Sequence, residues 1–226
     1  IKNHHFETAS RAAVVRDELG FDVRGGITLN EWVGGLNPHA VDALAAFDGD
    51  VVWLPTITAA NHLERAAVQM FEPEEADKSG ISLLDEDGDL TQATLDVIER
   101  VAEHGFVVGL SHVSPTEAIA FVDRATDHGV EDFLVQHPHA KFLDYSLDEM
   151  RTITDLGATL ELHYICVSEM MGHAATVDDY VAAVEAVGPE NVVMATDGGA
   201  TANPPAMAQL ERFVADMLDA GVPEAD

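Results

Sequence analysis

Residues 107–112 read Val-Val-Gly-Leu-Ser-His, a short apolar segment that runs directly into one ligand-type side chain. Three later apolar segments do the same, ending at His137, at Glu161 with His163 two residues on, and at Asp197. An amphipathic stretch closed by a glycine precedes each segment, and these glycines are Gly105, Gly129, Gly157 and Gly188. Helix, glycine cap, strand and terminal polar residue form the repeat of a βα unit. The sequence therefore predicts an α/β fold with a parallel sheet.

The same periodicity predicts seven strands and seven helices. The strands are expected at about 1–5, 22–30, 51–56, 106–112, 133–137, 158–163 and 192–197. The helices are expected at about 7–19, 38–47, 92–104, 115–128, 147–156, 177–187 and 205–220. Seven strands are one short of a (β/α)8 TIM barrel, so we expect such a barrel truncated at its N-terminal strand and at its C-terminal end.

We expect residues 1–226 to form a single, incomplete barrel domain. The rhythm is interrupted only at about 57–91, where a small hairpin around Asp87-Gly88 is predicted. Insertions of this length on a βα loop usually cover a site. His62 lies in the insertion, and sequence alone favours a structural role for it.

The charge balance restricts the partners. Acidic residues number 41 against 11 Lys and Arg, and the net charge is −30. Such a surface repels nucleic-acid phosphates, so a DNA or RNA partner is not expected. Apolar residues make up 47% of the chain, which favours an ordinary core beneath an acidic shell. This combination is typical of cytoplasmic proteins of salt-accumulating halophiles.

Other features of the sequence argue against disulfides, membrane partners and a signal peptide. Cys166 is the only cysteine, so no internal disulfide can form. No run of about 18 apolar residues occurs, and no membrane partner is expected. No positively charged start precedes an apolar core, as a signal peptide would require. The expected partner is a small-molecule substrate, and a homo-oligomer remains open.

The strand ends carry the candidate chemistry, because the C-terminal ends of barrel strands converge on one mouth. His112, His137 and Asp197 are predicted to meet there, and His4 is a further candidate ligand. Neutral imidazoles with a carboxylate suit one or two Zn²⁺, Mn²⁺ or Fe²⁺ ions. Asp197 could also accept a proton from a water that the metal acidifies to a pKa of ~7.

Alternation along the strands places further polar side chains inside the barrel. Glu161 and His163 share one face of their strand, and Lys2 shares a face with His4. We predict catalytic roles for Asp197, Glu161 and Lys2. The predicted substrate-binding residues are Asn30, Asn37, Thr56 and His163.

These motifs together resemble the amidohydrolase superfamily of metal-dependent TIM-barrel hydrolases. The resemblance rests on the order His, His and Asp at the ends of strands five, six and eight of the superfamily barrel. In this sequence the three residues are His112, His137 and Asp197. A finer similarity, to an uncharacterised branch of the superfamily, rests on short motifs at 2–5, 29–30, 33–38, 53–56, 111–112, 137–138 and 196–197. The resemblance implies a (β/α)8 barrel with a metal centre.

Two departures from the superfamily pattern bear on the metal count. The His-x-His that ends the first strand of the superfamily has no counterpart here, which agrees with a truncated start. The strand at 51–56 lacks the Lys or Glu that often bridges two metals. Lys2 or Glu161 could substitute for that bridging residue.

Three functions remain open. The first is a metal-dependent hydrolase acting on a C–N or related bond of a small polar metabolite. The second is a phosphoesterase, or a decarboxylase or lyase, on a similar metal site; a phosphoesterase should show more basic residues at the mouth. The third is a non-catalytic barrel that binds a ligand, and such a barrel need not hold a transition metal.

The acidic shell predicts how stability responds to salt. Because salt screens repulsion among the surplus carboxylates, the thermal midpoint should rise between about 0.1 and 2 M salt. Melting curves across that series check this prediction. A falling midpoint would contradict the halophile interpretation, because it would mean that screened attraction outweighs screened repulsion.

Overall fold

The structure is a computed structural model that describes residues 1–65, 79–169, 173–199 and 203–224. Six strands form one sheet in which neighbours follow the order of the chain, and the registers are parallel. The strands are β1 (Gly26–Thr28), β2 (Val51–Trp53), β3 (Val107–Gly109), β4 (Phe133–Gln136), β5 (Ala158–His163) and β6 (Val192–Ala195). This confirms the predicted α/β fold with a parallel sheet.

Helices alternate with the strands. They are α1 (Ala9–Leu19), α2 (Pro38–Ala46), α3 (Ala60–Arg65), α4 (Gln92–His104), α5 (Pro115–Asp127), α6 (Leu147–Asp155), α7 (Tyr164–Val167), α8 (Val177–Val187) and α9 (Ala206–Asp219). Ser114, Ser146 and Thr176 each begin a helix with a complete capping box. The seven predicted helices agree with observed ones to within the one or two residues by which helix ends are ordinarily defined. The short helices α3 and α7 were not predicted.

The prediction of a strand at residues 1–5 is wrong. The side chain of Asn3 accepts a hydrogen bond from the backbone N–H of His5 (2.8 Å), a local turn that competes with extended backbone. The carbonyl oxygen of Asn3 accepts from Thr28 Oγ1 (2.8 Å), and that of His4 accepts from Asn30 Nδ2 (3.0 Å). Side chains at the end of β1, rather than a neighbouring strand, therefore hold this segment. Lys2 and His4 do not share the face of a strand.

The chain comprises two compact units, Ile1–Leu134 and Val135–Asp226. In the first unit the core includes the fully buried side chains of Leu29, Leu54, Ile98 and Phe121. In the second unit it includes Met150, Leu160, Leu162, Tyr180 and Phe213. Buried apolar strands flanked by helices are the ordinary composition of a parallel sheet.

The insertion belongs to the first unit, and its residues 66–78 lie outside the described ranges. The hairpin predicted around Asp87-Gly88 is confirmed by an antiparallel bridge between Leu84 and Leu90. A backbone hydrogen bond from Asp85 N–H to the carbonyl of Asp89 (2.8 Å) closes it.

A buried carboxylate attaches the insertion to α5. Glu117 is 6% exposed. Its Oε1 accepts hydrogen bonds from Ser82 Oγ and the backbone N–H of Leu83, both at 2.9 Å. Its Oε2 accepts from the backbone N–H (2.8 Å) and the hydroxyl (2.7 Å) of Ser114. One side chain thus caps a helix and anchors a segment 34 residues away.

We expect Glu117→Gln to lower the free energy of unfolding by about 1–3 kcal/mol, because an amide nitrogen cannot accept the hydrogen bonds that the carboxylate accepts. Glu149→Gln is the matched control, since Glu149 makes the same capping box with Ser146 at an exposed site. That control should cost under about 1 kcal/mol. Urea unfolding of both variants provides the comparison, and equal losses would show that the contacts with the insertion contribute nothing.

Candidate metal centre

Three ligand-type side chains converge in the second unit. His137 directly follows β4, His163 ends β5, and Asp197 follows β6. Each offers one ligand atom, and these atoms all lie within 4.8 Å of one another. The two histidines are buried, whereas the Asp197 side chain is 39% exposed. Within the described ranges this is the one group of three or more His, Cys, Asp or Glu residues with metal-ligand spacing.

The backbone at two of these positions is left-handed. His137 has φ +36° and Asp197 has φ +47°. Such conformations cost of order 1 kcal/mol for a residue with a Cβ, and they concentrate at functional sites. The backbone N–H of His137 donates to the carbonyl of Glu161 (3.0 Å), so pairing with β5 continues to the turn. The strand end and the turn together set the direction of the imidazole.

His163 lies between two carboxylates. Its Nε2 is 3.3 Å from Glu161 Oε2, and its Nδ1 is 3.5 Å from Asp197 Oδ2. Burial is the largest single influence on the pKa of His163 and lowers it, but Asp197 and Glu161 together outweigh burial, so the pKa is raised from its usual value. The ring of His137 meets the His163 ring edge-on, with centroids 5.1 Å apart.

Two buried residues behind the cluster hold its backbone. The Tyr180 hydroxyl donates to the carbonyl of His163 (2.7 Å). Gln209 Nε2 donates to the carbonyl of Gly198 (3.2 Å), the residue after Asp197, and to that of Pro204 (2.6 Å). Side chains on α8 and α9 thereby fix the segments that present two members of the cluster.

The donor set fits a divalent transition metal. Two imidazoles and one carboxylate are a common set for Zn²⁺, and they also suit Mn²⁺ and Fe²⁺. His163 belongs to this set, although the sequence predicted a substrate-binding role for it. Its partner Glu161 is placed to accept a hydrogen bond from Nε2, as the supporting carboxylates of metal-bound histidines commonly do.

In the first unit, Asn30 ties the ends of β1 and β2 together. Its Nδ2 donates to Thr56 Oγ1 (2.7 Å) and to the carbonyl of His4 (3.0 Å). Its Oδ1 accepts from the Thr56 backbone N–H (2.9 Å) and the Thr58 hydroxyl (2.8 Å). His4 Nδ1 in turn lies 2.8 Å from Thr56 Oγ1. Both amide hydrogens of Asn30 are thus used within the protein, an arrangement that favours a structural role.

The remaining predicted site residues also belong to the first unit. Asn37 caps α2 by accepting from the His39 N–H (3.1 Å), and its Nδ2 donates to the carbonyl of Val33 (2.9 Å). Lys2 is half-buried in the N-terminal segment. His112 is buried beside His62, with their Nδ1 atoms 3.0 Å apart. Burial lowers the pKa of His62 to about 4, so this ring is neutral at neutral pH.

Sequence reasoning gave His62 no functional role. Its position on α3 depends on contacts that no local pattern announces, such as the hydrogen bond from Ala60 N–H to the carbonyl of Ile81 (2.9 Å). One feature of the sequence pointed to a functional role for His62: it lies in the insertion, shortly after small apolar residues.

A protein-family model matches residues 1–161 and bears the description family of unknown function (DUF6282). The chain belongs to this family. The matched part of this DUF6282 chain includes His4, His112 and His137, and it ends at Glu161, before His163 and Asp197. No curated protein sequence matches the chain.

Solved structures show the fold class of this DUF6282 member. An amidohydrolase from Pseudomonas aeruginosa is similar at 14% identity and a TM-score of 0.53 over 84% of this chain. The chain spans 63% of that protein's length, less than two thirds. A phosphotriesterase homology protein from Escherichia coli has 15% identity and a TM-score of 0.49. That match covers 96% of this chain and 84% of the Escherichia coli protein. The first likeness supports the fold alone, and it confirms the predicted α/β fold of the TIM-barrel type.

Among the described residues, no helix is long and apolar enough to cross a membrane. Substrate-binding roles for Asn30, Asn37 and Thr56 stay predictions, as do the roles of Lys2, His4 and His112.

A substitution at Asn30 separates its structural role from a substrate-binding role. Because the buried amide serves three neighbouring residues, we expect Asn30→Ala to lower the free energy of unfolding by about 2–4 kcal/mol. Denaturant unfolding of metal-free protein measures this. A stability equal to that of the unsubstituted protein would contradict the structural role and would favour substrate binding as the role of Asn30.

Proposed function

We propose that this protein is a metal-dependent hydrolase whose metal site contains His137, His163 and Asp197. The observation that carries the proposal is the convergence of these three side chains within 4.8 Å at consecutive strand ends. A buried site with two imidazoles is costly to assemble unless its polar atoms serve a ligand or each other. Strand ends are also where enzymes of this fold carry out their chemistry.

A divalent transition metal held there would supply Lewis acidity and would make a nearby water acidic enough to serve as a nucleophile near neutral pH. The protein's own residues perform the other tasks. Asp197, 39% exposed, can be reached by water and accepts its proton. Glu161 Oε2 lies 3.3 Å from Nε2 of His163, where a carboxylate can support a metal-bound imidazole, and Nδ1 lies on the side of Asp197.

Further assignments rest on the sequence pattern. His112 and His4 are proposed as metal ligands, and Lys2 as a catalytic residue. The metal is proposed to be zinc, manganese or iron, as one or two ions. The charge of −30 supports a salt-rich cytoplasm as the setting.

The proposed substrate is a small polar metabolite cleaved at a C–N or related bond. The amidohydrolase motifs and the fold shared with the Pseudomonas amidohydrolase support this bond class. A phosphoesterase is the second candidate, and the shortage of cations disfavours it, since the whole chain has 11 Lys and Arg. Phosphate-cleaving sites generally need cations to balance the charge of the phosphoryl group.

We expect the full-length protein to bind zinc or manganese and to hydrolyse a member of an amide and cyclic-amide panel. Asp197→Asn should lower kcat by ~10²–10⁴-fold, because it removes the proton acceptor. His137→Ala should lower the metal content measured by mass spectrometry after dialysis. His128→Asn is the control, because His128 is an exposed residue at the end of α5.

The outcomes separate the three candidate functions. Turnover of phosphoesters in place of amides would support the second candidate. Unchanged metal content and turnover in both variants would show that the hydrolase assignment is wrong. A protein that binds no metal and cleaves neither amides nor phosphoesters would favour the third candidate, a ligand-binding barrel.

A further inference from the structure

Two buried histidines of the first unit share a hydrogen bond through equivalent ring atoms. His62 lies on α3, and His112 follows β3. Their Nδ1 atoms are 3.0 Å apart, and the rings stack with centroids 4.7 Å apart and an interplanar angle of 26°. They are 3% and 6% exposed, so the pair is enclosed by protein.

This contact couples the tautomers of the two rings. At 3.0 Å one hydrogen must lie between the nitrogens, because two hydrogens would collide and two lone pairs would repel. If Nδ1 of a neutral His112 carries that hydrogen, its Nε2 has a lone pair. If Nδ1 of His62 carries the hydrogen, a neutral His112 must hold its own hydrogen on Nε2 and cannot bind a metal through that atom.

Consecutive residues of α3 engage His112 at two points. Asn61 Nδ2 donates to the backbone carbonyl of His112 (3.1 Å), and His62 engages its ring. The backbone N–H of His112 donates to the carbonyl of Pro55 (3.2 Å). The insertion thus holds both the backbone and the imidazole of a strand-end histidine.

We propose that His62 is a positioning residue that accepts a hydrogen bond from Nδ1–H of His112 and thereby orients the lone pair of His112 Nε2 toward a metal. The inference rests on the proposed function, in which His112 is a ligand. Metal-bound histidines commonly donate their second ring N–H to a fixed acceptor, which sets both tautomer and orientation. Here that acceptor is a second imidazole supplied by the insertion.

The test begins with the metal-free, unsubstituted full-length protein. Nitrogen-15 NMR of the histidine rings should identify Nδ1 of His112 as the hydrogen-bearing nitrogen and Nε2 as the lone-pair nitrogen. Hydrogen on Nε2 would overturn the inference without any variant, and this measurement depends on neither metal binding nor turnover.

Two substitutions at position 62 then separate hydrogen bonding from packing. His62→Phe keeps a stacked ring and removes the acceptor, so His112 should lose its single tautomer and the zinc Kd should rise ~10–100-fold. His62→Asn can place Oδ1 where Nδ1 was, so it should restore both the tautomer and a Kd close to the unsubstituted value. His128→Asn again serves as the control.

The results distinguish this inference from the proposed function. An unchanged tautomer in His62→Phe, or an unchanged zinc Kd in that variant, would overturn the positioning role. Equal damage by His62→Asn and His62→Phe would also overturn it, because packing alone would then explain the effect. Failure of the unsubstituted protein to bind zinc would instead overturn the proposed function.

Discussion

Polar side chains that are buried at strand ends must find partners within the protein, and this constraint shapes both units. Removing an imidazole or carboxylate from water costs several kcal/mol unless another group replaces the lost hydrogen bonds. His163 lies 3.3 Å and 3.5 Å from the carboxylates of Glu161 and Asp197, and His112 shares a hydrogen bond with His62. Each pairing fixes a ring that could otherwise rotate, so the same interactions that make burial tolerable also organise the candidate chemistry.

A second layer of residues holds the first. Tyr180 and Gln209 hold the backbone beside His163 and Asp197, and Asn30 joins the ends of β1 and β2. Glu117 fixes the insertion from which His62 reaches His112. These residues lie on helices or in loops behind the strand ends. Their placement fits the general requirement that reactive groups be held rigidly by a surrounding shell.

The acidic surface and the buried site respond to different forces. The exposed carboxylates repel one another through solvent. Salt at molar concentration limits the range of this repulsion to about 3 Å. The Glu161–His163–Asp197 contacts involve a 5% exposed imidazole side chain, which salt screens far less. High salt can therefore stabilise the folded chain while leaving the interactions within the candidate centre largely intact.

Local sequence determined most of the secondary structure. Capping boxes, glycines with left-handed φ and alternating apolar segments act over a few residues, so they mark helices and strands before any tertiary contact forms. The same local logic identified His137, which follows β4 directly, and Asp197, which lies two residues beyond β6. It failed at residues 1–5, where side chains from β1 and the turn beyond it capture the backbone that a strand would have used.

Only the tertiary structure decided how the site residues are employed. His62 and His112 are 50 residues apart in the chain, and Asn30 and Thr56 are 26 apart. Hydrogen bonds between such distant residues depend on how the sheet and the insertion pack, so no periodic pattern can encode them. The sequence by itself therefore determined which elements form and which polar residues end the strands. The folded structure decided which of those residues face one another, because burial compels each polar group to bond with the neighbours that packing provides.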